Sequence, residues 1–199
     1  WIGIQTTLLS MVDASLGGKT GFDLPEGKNL IGSFYPPKLV IADPSLLLTL
    51  TDRELRSGMA EVVKHGIISD PDLFAMCQQG MDWVKANLED VVKHAMAVKI
   101  QVIEEDPYEK GFRAALNLGH TVGHAVELVS KFELRHGEAI APVVAGAAHR
   151  LEIDRLDLPM IVGPLPHTDG VTMERAWLEA AAAANPAADL KTRTLVVVG

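Results

Sequence analysis

The chain has 199 residues, 48% hydrophobic and 22% charged, with a formal net charge of −8. This composition is typical of a folded soluble protein, and its acidic balance excludes a nucleic-acid partner that would need a basic face. The single cysteine, Cys77, excludes an internal disulfide framework, and no apolar run reaches the roughly 18 residues of a membrane span, so we expect a cytoplasmic protein without a membrane partner.

The first fifty residues carry mixed helix, loop and strand signals. Thr6–Val12 predicts an apolar helical stretch, and the glycines and prolines of the segment after it predict a flexible loop. Lys38–Ala42 predicts a short buried β-strand that ends at Asp43-Pro44. We therefore expect an α/β unit over residues 1–50.

From Thr51 to about Arg155 the apolar residues recur at helical spacing. Thr51 followed by Glu54 satisfies the capping-box pattern for a helix start. Prolines at 164 and 166 predict a loop before an alanine-rich last helix. We expect a mainly helical domain over 51–199, with its later helices at Pro71–Gln79, Trp83–Ile103, Leu116–Val129, Glu138–Leu151 and Met173–Ala184.

A histidine-rich segment carries the strongest chemical signal. His120 and His124 are four residues apart, so on a helix their imidazoles lie on one face, and His136 follows after a turn. Glu61 is the best-placed carboxylate. Imidazoles and one carboxylate with open positions describe a catalytic zinc site better than a structural one. The pattern alone predicts that the helical histidine pair binds the metal together.

The histidines are also open to two other interpretations. The pair is half of a zinc-protease motif, but Thr121 stands where that motif places its catalytic Glu, which argues against a protease. The remaining histidines are interpreted as ordinary satisfied core or surface residues: His65, His94, His149 and His167.

Glycine–lysine segments and clustered polar residues predict an anionic ligand. Gly17–Lys19 and Gly27–Asn29 each place a cation beside glycine, as phosphate-binding loops do, although ordinary solvated turns explain them equally well. Lys64 lies three residues after the carboxylate candidate and so shares its helix face. A polyhydroxylated anionic substrate is predicted by three residues that would share one helix face: Arg113, Asn117 and His120.

Four motifs in register carry a family resemblance. They run in order within a match from Thr6 to about Ala141, and they resemble the 3-dehydroquinate synthase family: Asp13–Thr20, Gly27–Gly32, Gly58–Lys64 and Asn117–Ala125. The resemblance implies an α/β remnant of a Rossmann-like nucleotide-binding domain followed by a mainly α-helical metal-binding domain, with the active site between them. It also implies NAD+ and one divalent metal, Zn²⁺ or Co²⁺.

The resemblance assigns site residues one by one. The metal ligands would be Glu61, His120 and His136, so His124 would face the substrate and relay protons. NAD+ contacts would be Thr6, Thr7, Asp13, Lys19, Lys28, Leu46, Leu47, Leu48 and Thr49. Substrate-binding and catalytic residues would be Lys19, Asn29, Lys64, Lys99, Glu109, Arg113, Asn117 and His124, with Glu109 arranging the site.

The family reaction explains these residue types. It converts 3-deoxy-D-arabino-heptulosonate 7-phosphate, an anionic sugar acid, to 3-dehydroquinate and phosphate in the shikimate pathway of aromatic amino acid biosynthesis, without net oxidation. A homodimer is usual in the family. Three alternatives stay open: a cyclase that makes valiolone or deoxy-inosose rings, a metal-dependent alcohol dehydrogenase, and a metal-binding fragment without catalysis. Asn117 and His124 favour dehydroquinate synthase over the valiolone makers.

Departures from the family pattern lie at both ends. The glycine-rich pyrophosphate-binding segment expected before Thr6 is absent, and the chain ends on the strand-like run 194–199. Near that end Lys191 follows Asp189, where the family usually carries a lysine pair, so its role as a phosphate contact is not assigned. We expect a piece of a longer protein that does not turn over alone, and product formation by these 199 residues would contradict this.

Overall fold

The computed structural model describes residues 1–24 and 27–150, and its first part consists of two small sheets. Strand β1 (Ile2–Gln5) pairs in parallel with β4 (Leu39–Ala42), while β2 (Lys19–Leu24) and β3 (Gly27–Phe34) form an antiparallel hairpin. A part with strands and helical turns therefore precedes the six α-helices, as predicted for an α/β unit before a helical domain. The predicted strand at Lys38–Ala42 is confirmed as β4, but it is only half buried, since Leu39 and Ile41 are 51% and 42% exposed.

The hairpin corrects the prediction of a flexible loop between the first helix and β4. Its glycines conceal a strand pattern in which Phe22 stands opposite Ile31, a cross-strand pair that favours pairing. Thr20 Oγ1 also donates to the Ser33 carbonyl at 2.8 Å. β1 was missed because four residues carry too little periodicity to be recognised.

The predicted helical stretch at Thr6–Val12 is present in altered form. The chain turns helical after Thr7 and widens into a π-helical turn at Ser10–Ala14, with Met11 and Val12 fully buried. Single π turns are common at functional sites because they re-aim side chains. This one presents Asp13 towards the helices.

Six α-helices follow within the described residues. Their bounds are α1 Asp52–Ser69, α2 Pro71–Gln78, α3 Met81–Ala86, α4 Leu88–Glu105, α5 His120–Val129 and α6 His136–Arg150, with 3-10 helices at Pro44–Thr49 and Phe112–Asn117. The predicted cap is confirmed, because Thr51 Oγ1 accepts from the Glu54 amide at 3.3 Å. None of the described helices is both long and apolar enough to cross a bilayer.

Two predicted helices have different bounds in the structure. The helix expected over Trp83–Ile103 breaks at Asn87 into α3 and α4. The helix expected over Leu116–Val129 starts only at His120, after Gly119 adopts a left-handed φ of 83°. Arg113 and Asn117 therefore lie on the preceding 3-10 helix, and the prediction that they share an α-helical face with His120 is wrong.

Helix α1 is the centre of the core. It is buried from Ser57 to Gly66 and packs against α2, α4, α6 and the π turn. Apolar side chains from these elements enclose it, among them Met59, Leu73, Val91 and Ile140. A helix surrounded on all sides can carry charged residues only if they are paired or bind an ion.

Several predictions fall outside the described residues. They concern the helix at Met173–Ala184, the loop at Pro164 and Pro166, the terminal run 194–199, His167 and Lys191. The side chains of Lys28, Asn29 and His149 also lie outside what the structure describes. The division into domains at residues 50 and 51 stays a prediction.

Candidate metal and substrate site

One cavity gathers the predicted catalytic side chains. It has a volume of about 420 Å³ and lies where α1, α4, the π turn and the starts of α5 and α6 meet. This volume is within the usual range for small-molecule sites, about 300–1,000 Å³. The predicted residues that line it are Lys19, Lys64, Lys99, Glu109, Arg113, Asn117 and His124, together with His120 and His136.

Glu61, His120 and His136 form a compact set of ligand atoms. Their candidate atoms all lie within 4.8 Å of one another. Glu61 Oε1 is 3.6 Å from His120 Nε2 and 3.3 Å from His136 Nε2. Ligand atoms about 2.0–2.1 Å from a tetrahedral zinc are separated by about 3.3 Å, so the observed spacing fits such an ion with little movement.

The Glu61 carboxylate has unfilled hydrogen-bonding capacity among the described residues. It is fully buried, and neither oxygen accepts a hydrogen bond of normal geometry from the described residues, although Lys64 Nζ forms an ion pair with Oε2. Burial raises the pKa of Glu61, but the Lys64 charge and the two neighbouring histidines outweigh burial and hold it well below its usual range. A buried anion of this kind is suited to a cation.

Both histidine rings are oriented by acceptors on their other nitrogen. His136 Nδ1 lies 3.2 Å from Glu127 Oε1, and His120 Nδ1 lies 3.4 Å from the Leu118 carbonyl. An acceptor at Nδ1 orients each ring with its Nε2 towards Glu61, which is the arrangement found in metal-binding histidines.

The two histidines differ in electrostatic environment. Burial, together with the Lys64 charge, lowers the pKa of His120 to about 4. Burial also lowers the pKa of His136, but the adjacent Glu127 and Glu61 carboxylates outweigh burial and raise it to about 9. In the metal-free protein, His120 is therefore neutral and His136 carries a proton that a metal would displace.

A second set of ligand atoms shares His136. His124, Glu127 and His136 also offer atoms within 4.8 Å of one another. Glu127 already bonds His136, and His124 is exposed, so this set lacks the buried, unsatisfied carboxylate of the first. The geometry favours the ligand set implied by the family over the helical histidine pair suggested by spacing alone.

Two buried lysines meet the π turn above the metal site. Lys64 Nζ donates to the Leu116 carbonyl at 2.8 Å and lies 4.0 Å from Asp13 Oδ1. Lys99 Nζ donates to the Asp13 carbonyl and to Oδ1 at 2.5 and 2.6 Å. Burial and the Glu61 charge raise the pKa of Asp13, but the two lysines outweigh them and lower it. Asp13, predicted as an NAD+ contact, thus holds two cavity lysines.

Arg113 is anchored by neutral carbonyls. Its side chain is almost fully buried, Nη1 donates to Pro107 O at 2.6 Å, and Nη2 donates to Gly17 O at 3.1 Å. Gly17 has a φ of 88°, and a Cβ there would lie 2.5 Å from Arg113 Nη2. The first glycine of the Gly17–Lys19 segment is therefore required by a close approach.

Glu109 links the remaining cavity residues. It forms an ion pair with Lys19 and accepts a hydrogen bond from Asn117 Nδ2 at 2.7 Å. Burial raises the pKa of Glu109, but hydrogen bonds from Lys19 and Asn117 outweigh burial and lower it. Its backbone φ of 55° is unusual for a non-glycine residue and aims the carboxylate inwards. This contact supports the arranging role expected for Glu109.

Six of the nine predicted NAD+ contacts lie beyond the carboxyl end of the parallel sheet. Thr6 and Thr7 follow β1, and Leu46–Thr49 lies in the 3-10 helix that follows β4. Nucleotides bind at the carboxyl ends of parallel strands, which is where both segments are found. The Leu47 side chain packs into the core, whereas Leu48 is 72% exposed.

His65 corrects one sequence interpretation. It is fully buried, but neither ring nitrogen has a hydrogen-bond partner among the described residues, so it is not a satisfied core histidine. Burial and the Lys64 charge lower its pKa to about 4. His94 is an ordinary structural histidine, with Nδ1 2.7 Å from Asp70 Oδ2.

Glu127 was missed by the sequence interpretation. The signal available was an acid inside an apolar helix, three residues after His124. Buried acids are rare without a partner, which makes such a residue a candidate orienting group for a metal-binding histidine.

Family models match most of the chain. The N-terminal model of 3-dehydroquinate synthase matches residues 1–57, and the C-terminal model matches residues 58–157. A 3-dehydroquinate synthase of Symbiobacterium thermophilum is 46% identical over 179 residues, covering 79% of this chain and 50% of that protein. One of Paenarthrobacter aurescens is 49% identical over 144 residues, covering 70% and 40%. The chain thus spans half or less of the length of these two curated relatives.

Solved structures of related enzymes share the fold. A 2-epi-5-epi-valiolone synthase from Streptomyces hygroscopicus with NAD+ and Zn²⁺ bound superposes with a TM-score of 0.73 at 29% identity, covering 93% of this chain and 57% of that one. A 2-deoxy-scyllo-inosose synthase complexed with carbaglucose-6-phosphate, NAD+ and Co²⁺ gives 0.69 at 31% identity, covering 89% and 53%.

Proposed function

Because this chain belongs to the 3-dehydroquinate synthase family, we propose that the whole protein converts 3-deoxy-D-arabino-heptulosonate 7-phosphate to 3-dehydroquinate and phosphate. This is a phosphate-eliminating lyase reaction of aromatic amino acid biosynthesis. The observation that carries the proposal is the single cavity lined by all seven predicted catalytic side chains and two of the three predicted metal ligands.

The metal site fits a divalent cation on the evidence of its own atoms. Glu61, His120 and His136 would hold Zn²⁺ or Co²⁺, the ions bound by the two solved cyclases. When bound, such an ion acts as a Lewis acid towards substrate hydroxyls. The orphaned carboxylate and the two oriented rings are the features that support this assignment.

NAD+ would lie against the α/β part of the chain. We propose a Rossmann-like remnant over residues 1–50, with Thr6, Thr7 and Leu46–Thr49 facing the nucleotide at the carboxyl edge of β1 and β4. When bound, NAD+ supplies a reversible hydride acceptor, so the net reaction needs no other oxidant. The two solved cyclases also bind NAD+.

The cavity cations recognise the anionic ends of the substrate. Lys64 and Lys99 are fixed by Glu61 and Asp13, so they are positioned before substrate arrives. Arg113 makes its described side-chain hydrogen bonds to neutral carbonyls, so its guanidinium is positioned to pair with a phosphate or carboxylate. Fixed cations in a closed pocket stabilise developing negative charge more than mobile surface lysines do.

His124 is the proposed proton relay. It is exposed yet lines the cavity, and its ring centroid lies 5.3 Å from that of His120 and 6.1 Å from that of His136. An imidazole in this place can take a proton from a substrate hydroxyl and return it at another atom. Its ring lies beside the two histidine ligands and does not belong to the ligand set that includes Glu61.

A related cyclase activity is the second candidate, because both solved neighbours act as other ring-forming synthases. The higher identity to dehydroquinate synthases, 46–49% against 29–31%, favours the first proposal. The two candidate activities differ in their substrates. The heptulosonate phosphate carries a carboxylate, which needs an extra cationic partner in the cavity. Arg113 is the buried cavity cation that we assign to it, because its described side-chain hydrogen bonds go to neutral carbonyls.

Phosphate release by the whole protein with NAD+ and Zn²⁺ tests the proposal. We expect 3-dehydroquinate from the heptulosonate phosphate and no product from sugar phosphates that lack the carboxylate. Arg113→Met should abolish turnover, whereas Lys85→Met, on an exposed ion pair with Asp52, serves as a matched control. Turnover of a sugar phosphate without the carboxylate, and none of the heptulosonate, would overturn the assignment.

A further inference from the structure

Three consecutive residues at the start of α6 face three residues spaced by four along α1. Glu138 meets Arg53, Gly137 meets Ser57, and His136 meets Glu61. Residues four apart lie on one face of a helix, so α1 presents a single stripe to the first turn of α6. We call these three contacts the α1–α6 ladder.

The outer rung is a two-point clamp. Arg53 Nε donates to Glu138 Oε1 at 2.6 Å, and Nη2 donates to Oε2 at 2.7 Å. Glu138 is 3% exposed and also accepts from the Arg135 amide at 2.9 Å, which fixes the first turn of α6. A bidentate guanidinium–carboxylate pair fixes direction as well as distance.

The middle rung brings the two helix backbones into contact. The Gly137 amide donates to Ser57 Oγ at 3.1 Å. A Cβ on Gly137 would lie only 1.9 Å from the Ser57 carbonyl oxygen, so no other residue fits without moving a helix. Ser57 is 4% exposed, which shields this hydrogen bond from water.

The inner rung holds two candidate metal ligands. His136 follows directly before Gly137, and Glu61 lies one helical turn after Ser57. The 3.3 Å separation of His136 Nε2 and Glu61 Oε1 is therefore set by the two rungs beside it. Metal sites tolerate about 0.2 Å of error in ligand placement, so a small shift of α6 on α1 matters.

We propose that Arg53, Ser57 and Glu138 are positioning residues that hold His136 against Glu61 and thereby set the affinity of the metal site. They touch neither metal nor substrate and act through the register of α6 on α1. The inference rests on the metal centre of the proposed function. Outer contacts of metal ligands commonly change affinity by about 10- to 100-fold when removed.

Cobalt binding to the purified whole protein tests the ladder without turnover. Co²⁺ alone is the probe, with affinity taken from competition against a chelator and geometry from the visible d–d absorption at saturating Co²⁺. We expect Ser57→Ala and Arg53→Met to weaken binding by about 10- to 100-fold and to alter the absorption bands. Arg53→Lys should not restore either, because an ammonium lacks the two-point fork.

Two controls separate the outcomes. Lys85→Met removes an exposed ion pair of α1 with no link to α6 and should bind like the wild type. Far-ultraviolet circular dichroism confirms folding, and a merely structural role would leave the cobalt spectrum unchanged at saturation. If Glu61→Gln abolishes binding while the ladder variants keep wild-type affinity and spectrum, the ladder inference alone is overturned. If the wild type binds no Co²⁺, the metal centre and the ladder both fall.

Discussion

Lys64→Met removes the positive partner of the buried ion pair with Glu61. Lys64 is 1% exposed, forms an ion pair with Glu61 and donates to the Leu116 carbonyl at 2.8 Å. Methionine fills a similar volume without the ammonium group. The substitution therefore leaves a buried carboxylate and a buried carbonyl without their partner.

The expected loss is large because the pair is buried. Removing one partner of a buried ion pair costs about 3–5 kcal/mol of unfolding free energy. For a chain of 199 residues this corresponds to a fall in Tm of roughly 6–20 °C. A bound divalent cation compensates the Glu61 charge. The metal-loaded variant should therefore lose only about 1–2 kcal/mol of unfolding free energy, which is the cost of the unpaired Leu116 carbonyl.

Thermal unfolding with chelator and with saturating Zn²⁺ measures both quantities. The variant should gain more Tm from zinc than the wild type gains. Lys85→Met, which removes an exposed ion pair with Asp52, should change Tm by no more than about 4 °C, as surface pairs do. Equal Tm values for chelated Lys64→Met and wild type, or equal gains from zinc, would refute the reasoning.

Three further perturbations follow from the same geometry. Gly137→Ala should abolish Co²⁺ binding, because its Cβ would lie 1.9 Å from the Ser57 carbonyl oxygen. Gly80→Ala, whose Cβ would meet no atom within 4 Å, should bind Co²⁺ normally despite its φ of 89°. Wild-type affinity in Gly137→Ala would contradict the close packing of α6 on α1. The pKa of His136 is raised to about 9 by its two carboxylate partners, so its stabilising contribution is complete below pH 6.5 and disappears as pH rises to 9. Urea titrations of the metal-free chain at both ends of that range should show this loss, and His136→Gln should remove it; an unchanged pH dependence in that variant would contradict the assignment. Arg113→Lys should lower kcat/KM of the whole protein by at least about 100-fold, because an ammonium cannot reach both carbonyls and an anion; near-normal kcat/KM would exclude the anchoring role.

The order of elements could be predicted because strong local signals mark it. The start of α1 lies at Thr51 with Glu54, and β4 ends before Asp43-Pro44, both as the sequence predicts. The hairpin could not, since glycine-rich strands are recognised only through their partner, and β1 is defined by pairing with a strand 37 residues away. The start of α5 differs from the predicted one because Gly119 adopts a left-handed backbone conformation just before it.

The candidate site divides in the same way. Types and spacing of residues predicted which side chains carry chemistry, and the structure brings them into one cavity. Spacing alone paired His120 with His124, because it reports the helix face but not what the face meets. Only the packing of α6 on α1 shows that His136 and Glu61 meet, and only tertiary structure shows Glu127 behind His136.

Zinc titration by calorimetry of the wild type, His120→Ala and His124→Ala tests the central claim most directly. The account predicts tight binding by the wild type, its loss in His120→Ala and its retention in His124→Ala, because only His120 belongs to the set with buried Glu61. Loss of binding in His124→Ala with retention in His120→Ala would place the ion among His124, Glu127 and His136 and contradict the account.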